Sequence, residues 1–205
     1  MSAPASNAPP LYLPGVEAHP QPGVYRDLIE SARARNVEHS KIWDLFAFQQ
    51  SFTVHLARFT HGVLRQPAAI SPGFRELIAA YTSYQNECGF CTQAHAAAAS
   101  ELMGDSALVW AALRDVDSSP LPENEKLLLR FVGKVTRQVG NVEESDVAAL
   151  RHAGWNDEAI YYAITTCALF NFYNRWITAC GVPQMSADAH REQGRTLAAR
   201  GYSRD

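Results

Sequence analysis

From Asp44 onward the apolar residues recur three or four positions apart, and almost nowhere does the chain show the period of two that a half-buried strand requires. Leu45, Phe48, Phe52, Leu56, Phe59 and Val63 share one helical face, which predicts a long core-facing helix over 44–65. Ser71-Pro72 is a helix start, a capping hydroxyl followed by Pro at the first helical position, for a segment running to about Asn86. An alanine-rich helix follows from about Phe90 to Leu102, closed by Gly104, and Asp105 caps a short successor through Arg114. Beyond Pro120 and Pro122, Leu128, Phe131, Val135 and Val139 repeat at helical spacing, and Asn141 with Glu144 suggests the capped start of a short helix ending at Gly154. Asn156 opens a helix to about Cys180 that is apolar on nearly every side, as a central core helix is. Gly181 and Pro183 stop it, and Ser186 caps a last helix through Arg200. The chain is expected to be all-α.

At 205 residues and 47% hydrophobic, the chain can bury one substantial core, and a single helical domain over 23–205 is expected. Residues 1–22 hold six of the eleven prolines and read as an extended arm, because Pro removes backbone donors and drives its predecessor out of the helical region. A net charge of −3 without any Lys/Arg run argues against nucleic acid as a partner. The longest apolar stretch, Ala159 to Phe170, is too short to cross a bilayer. No basic segment precedes an apolar one at the start, so a cytoplasmic, reducing setting is the expectation.

Four cysteines are too few for a disulfide scaffold, and their placement separates them. Cys167 and Cys180 lie in apolar sequence and read as packing. Cys88 and Cys91 form Cys-x-x-Cys at a helix start, with His95 one turn further on and Glu76 on the preceding helix. The positive end of the helix dipole favours a thiolate there, a histidine can accept the thiol proton, and the paired thiol can convert a sulfenic acid to a disulfide. Should the Glu76 helix fold back, its carboxylate can come beside the dithiol or the histidine and relay a proton. A zinc site would need four ligands, and no second Cys/His pair follows at the required spacing. Covalent c-type haem would need His directly after Cys91, where Thr92 stands. No metal or organic cofactor is therefore called for.

Among the remaining polar groups, His19, His39, His152 and His190 read as solvated, and His55 and His61 lack an acidic partner. Asn171, Asn174 and Arg175 fall within the core helix and need hydrogen-bond partners; a structural network or an oligomer contact is the expected explanation.

The pattern Glu76-x11-Cys88-x-x-Cys91-x3-His95 resembles the signature of alkylhydroperoxidase AhpD-like proteins in the carboxymuconolactone decarboxylase superfamily. The stretch from Leu150 to Val182, with Phe170-Asn171-Phe172-Tyr173-Asn174-Arg175, is similar to the peroxidase-related branch, as is an aromatic residue, Phe90, before the second cysteine. The resemblance implies an all-helical, oligomeric protein (dimer, trimer or hexamer) with a helical hairpin presenting the Cys pair. It further implies reduction of a hydroperoxide by Cys91 as the peroxidatic thiolate. Cys88 would donate a proton and then resolve the sulfenate as a Cys88–Cys91 disulfide, while His95 and Glu76 relay protons. Electrons would come from a dithiol protein, thioredoxin-like or lipoyl-bearing. The alternatives are a thiol:disulfide oxidoreductase using the same pair, and a redox sensor or zinc-bound structural site without catalysis.

Overall fold

The computed structural model describes residues 9–203. Eleven α-helices make up this part of the chain and no strand occurs among the described residues. They are α1 (Pro14–Ala18), α2 (Val24–Ala34), α3 (Ile42–Phe48), α4 (Gln50–Arg65), α5 (Pro72–Gln85), α6 (Gly89–Met103), α7 (Ser106–Arg114), α8 (Glu123–Arg137), α9 (Glu144–His152), α10 (Asp157–Ala179) and α11 (Ala187–Arg200).

Local capping sets most of the boundaries. Ser71, Asp105, Asn156 and Ser186 each accept the backbone N–H three residues on, satisfying a donor that the first helical turn leaves orphaned. Gly104 ends α6 in the left-handed region. The start of α9 departs from expectation, because Asp146 reaches back to the Glu143 N–H (2.8 Å), so the capping pair is two residues later than Asn141.

The single helix expected over 44–65 is two helices. Gln49 leaves the helical region (φ −138°, ψ 65°), and the Thr53 hydroxyl takes up the Phe46 carbonyl (2.7 Å) that the break leaves free. The break turns the face of α4: Thr53, Ala57, Thr60 and Leu64 point inward while Phe52 and Phe59 are 58% and 52% exposed. Small side chains let α4 sit close to α10, where the Thr60 and Tyr173 hydroxyls meet at 2.7 Å.

The arm is not extended throughout either. Residues 1–8 of it lie outside the described residues, but α1 forms within it, Leu11 is buried, Tyr12 N–H bonds the Cys180 carbonyl (3.0 Å), and Lys41 pairs with Glu17. Burial of Leu11 and these polar ties outweigh the extended preference of the flanking prolines.

Antiparallel α5 and α6 form the central hairpin, with α10 packed on α5 and α11 laid along α6. The approach of α11 is close: a Cβ at Gly194 would lie 2.6 Å from Ala97 Cβ, so only glycine fits. One apolar cluster joins α5–α10 around Ile78, Leu113, Leu128, Leu129 and Ile160. A second joins α2, α3, α4, the start of α6 and the later part of α10 around Ile29, Phe46, Leu64, Phe90 and Phe170, and it contains both Cys88 and Cys91. Buried Arg75 ties α5 to the end of α4 by donating to the Val63 and Gln66 carbonyls (both 2.7 Å). α10 is not enclosed on every side, since Tyr161 and Phe172 are 64% and 49% exposed. No helix among the described residues is long and apolar enough to cross a membrane.

Candidate active site

The turn between α5 and α6 delivers the cysteines. Cys88 N–H bonds the Ser83 carbonyl (3.0 Å) and Glu87 N–H that of Tyr84 (3.1 Å), the paired bonds of a Schellman helix end. Its pivot must be left-handed, and Glu87 adopts φ 56°, whereas the pivots after α9 and α10 are Gly154 and Gly181. The pivot reverses the chain within two residues, so that Cys88 stands immediately before α6 and Cys91 in its first turn, both buried.

The two sulfurs are unequal. Cys88 is lowered to about 6, above all by the hydrogen bond from the Cys91 thiol; its own burial opposes this, while the Thr178 hydroxyl at 3.5 Å, the Cys91 N–H and Asn174 assist. Deep burial pushes Cys91 well above its ordinary value, and the neighbouring Cys88 adds to the rise against the help of Asn174 and Ser83. The two shifts run in opposite directions, down at Cys88 and up at Cys91. These directions favour charge on Cys88, where the expectation placed the thiolate on Cys91, because the more enclosed sulfur is the worse place for charge.

Glu76 is fully buried on α5 and meets His95 of α6, with Oε2 at 2.7 Å from Nδ1. Its Oε1 accepts from Arg65 Nη2 of α4 and from the Tyr202 hydroxyl beyond α11, both at 2.6 Å. Burial works against the Glu76 charge, but His95, Arg65 and Tyr202 together outweigh it and hold the carboxyl below its ordinary value. An ionised carboxylate can only accept, so His95 Nδ1 carries the hydrogen that Glu76 Oε2 receives.

The structure therefore gathers all four predicted residues, in two linked groups. Among the described residues no hydrogen bond joins His95 or Glu76 to either sulfur. What unites the groups is an apolar pocket of about 670 Å³, open mouth included, whose wall contains Cys91 and His95 beside Trp43, Phe46, Phe90, Phe170 and Tyr173. Cys88 instead faces a second opening, with Gly89, Thr178 and Gln184.

The structure shows where the polar run of the core helix finds its partners. Asn174 donates to Ser83 Oγ (2.9 Å) and accepts from Asn86 (2.9 Å), which also bonds Asn171 (3.0 Å), so the polar run in α10 is a network beside the thiols. This is the structural network expected of amides in an otherwise apolar helix. Arg65 and Tyr202 had no signal, since each looks like an ordinary terminal or surface residue. His39 and His190, expected to be solvated, are buried; His190 packs edge-on to Phe90, ring centroids 5.5 Å apart. Cys167 is buried as expected, though the Thr136 hydroxyl lies 3.2 Å from its sulfur. No group of three His, Cys, Asp or Glu residues among those described is placed to hold a metal ion.

The fold is similar to that of solved peroxidase-related and AhpD-core structures. An uncharacterised peroxidase-related protein from Silicibacter sp. TM1040 is 26% identical over 95% of this chain and 100% of its own, with a TM-score of 0.76. An AhpD-core, peroxidase-related protein from Ralstonia eutropha JMP134 is 22% identical, with 91% and 97% covered and a TM-score of 0.71. A protein of unknown function from Agrobacterium tumefaciens, linked by name to AhpD antioxidant defence, is 23% identical, with 67% and 92% covered and a TM-score of 0.56. No family model and no curated protein matches the chain. The described part of the chain is all-α, and its fold is similar to those of peroxidase-related and AhpD-core proteins.

Proposed function

We propose that the protein is a thiol peroxidase that reduces organic hydroperoxides through Cys88 and Cys91. The observation that carries the reading is that Cys91 and His95 line one apolar pocket while Glu76 holds the far side of the His95 ring. An apolar wall suits the organic part of ROOH, and the peroxide-related names of the similar structures support the same class.

In this mechanism the Cys91 proton passes to the Cys88 thiolate, its hydrogen-bond partner. The Cys91 sulfur then attacks the terminal peroxide oxygen, the O–O bond breaks, and Cys91 becomes a sulfenic acid. The departing alkoxide takes a proton relayed from solvent by His95, which lines the same pocket, giving ROH, and Cys88 releases its proton to solvent through its own opening. Cys88, again a thiolate, attacks the sulfenate sulfur and expels hydroxide, which takes a solvent proton to form water. The pair has lost two electrons to the peroxide and is a disulfide; a thioredoxin-like or lipoyl-bearing dithiol protein returns it to the dithiol. The exposed apolar stripe of α10, Tyr161, Ile164 and Phe172, supports assembly of this chain as a homo-oligomer.

A second reading, thiol:disulfide exchange, is favoured by the charge on Cys88 and its separate opening. Rapid-mixing oxidation separates the two. Under the peroxidase reading an organic hydroperoxide oxidises the pair far faster than a model disulfide does, Cys91→Ser loses peroxide turnover, and Cys88→Ser, which lacks the base for the Cys91 proton, is oxidised far more slowly. Peroxide turnover retained by Cys91→Ser refutes the assignment.

A further inference from the structure

The Glu76 carboxylate has one donor more than a His–Glu pair requires, and that donor comes from the far end of the chain. Tyr202, 107 residues from His95 in sequence, lies just beyond α11 and places its hydroxyl 2.6 Å from Glu76 Oε1 and 3.2 Å from His95 Nδ1. The hydroxyl donates to the carboxylate, because that contact is the shorter and the acceptor is charged. The ring lies nearly parallel to the His95 ring (18°, centroids 6.0 Å apart), beneath the Arg65 guanidinium at 5.1 Å, and forms part of the pocket wall.

The approach of this segment is built in. Gly201 has φ 69°, and a Cβ there would lie 2.6 Å from the His61 ring, so glycine is required at the bend. His61 Nδ1 then accepts the Tyr202 N–H (3.2 Å), with the Ser203 N–H close by (3.4 Å). A loose terminal tail would have no such anchor.

We infer that Tyr202 is a positioning residue of this site: by donating to Glu76 Oε1 it holds the carboxylate where Oε2 accepts the His95 Nδ1–H, leaving Nε2 as the basic nitrogen. The consequence for activity rests on the peroxidase reading; the tautomer does not. Groups facing the carboxylate are Arg65 from α4, His95 from α6 and Tyr202 itself, with Arg75 adjacent on α5; Tyr173 of α10 neighbours Tyr202. Arg65 alone remains on Oε1 when the hydroxyl is removed, so the carboxylate loses a neutral donor and becomes easier to protonate.

Tyr202→Phe, which keeps the ring, and Tyr202→Ala, which removes it, test the inference in the full chain. Histidine nitrogen NMR is expected to show Nδ1-protonated His95 in the parent protein and a rise of the Nε2-protonated form in Tyr202→Phe. With an organic hydroperoxide, kcat should fall roughly tenfold at unchanged KM. Tyr202→Ala should also raise KM for a bulky hydroperoxide, since a wall of the pocket is gone. An unchanged tautomer in Tyr202→Phe overturns the inference, whatever Tyr202→Ala does to folding. Absence of peroxide turnover in the parent protein refutes the peroxidase reading instead, and the tautomer measurement still judges Tyr202.

Discussion

His95 Nδ1 lies 2.7 Å from Glu76 Oε2, and both side chains are buried between α5, α6 and the segment after α11. A buried carboxylate survives as an anion only when donors replace its water, and here Arg65, His95 and Tyr202 do so. Glu76→Gln leaves Arg65 without its anion and His95 without its acceptor. We expect a stability loss of about 3–5 kcal/mol, as for a broken buried pair, and at least a hundredfold, ~10², loss of peroxide turnover. Denaturant unfolding and steady-state rates measure the two effects separately.

The same carboxylate gives stability a defined acid dependence. Glu76 is held below its ordinary value, so its contribution is full above the unfolded carboxyl value of about 4.3 and is lost as pH falls through the folded one. Thermal midpoints should therefore drop on acidification below about pH 4.3, and Glu76→Gln should flatten that limb. An equal slope in both proteins would assign the acid sensitivity to other groups.

Thiolate absorbance should titrate in a step near 6 that belongs to Cys88 and vanishes in Cys88→Ser. Because the Cys91 thiol is the main cause of the lowered value, Cys91→Ala should move the step upward. The stability sign follows from a depressed acid group: its contribution is complete above the unfolded thiol value of about 8.5, declines as pH falls, and is absent below 6. A Cys88 step at its ordinary value would remove the charge asymmetry on which the proton transfer depends.

Glu87 occupies a left-handed pivot where glycine carries no Cβ penalty. Glu87→Gly should raise stability by about 1 kcal/mol, a shift of roughly 2–4 °C in Tm for a chain of this size. Calorimetry decides the sign, and a lower Tm would mean that the Glu87 side chain contributes more than its backbone costs.

Gly194 sits where α11 crosses α6 with no room for a methyl group, 2.6 Å from Ala97 Cβ. Gly194→Ala should destabilise by about 1–3 kcal/mol, since the neighbour beneath it is a helix and not the end of a flexible side chain. It should also quicken labelling of Cys91 by a small thiol reagent, because α11 supplies Gln193 and Leu197 to the pocket wall. Full stability in Gly194→Ala would show that α11 can shift without cost.

Sequence alone determined what depends on neighbours along the chain. Helical periodicity, the caps Ser71, Asp105, Asn156 and Ser186, and the spacing of Cys88, Cys91 and His95 on one helix are local facts, and they correctly indicated an all-α protein with a dithiol at a helix start. The break at Gln49 was not legible, because it depends on how α4 meets α10 and not on the apolar period, which runs unbroken through it.

Tertiary structure decided the direction in which each thiol shifts, because that depends on relative burial and on Thr178, Asn174 and Ser83 arriving from other helices. It also decided what completes the carboxylate. Arg65 and Tyr202 lie 11 and 126 residues from Glu76, and no pattern in the sequence links them. A buried charge must be satisfied by whichever donors the fold brings within reach, and only the packed chain specifies those donors.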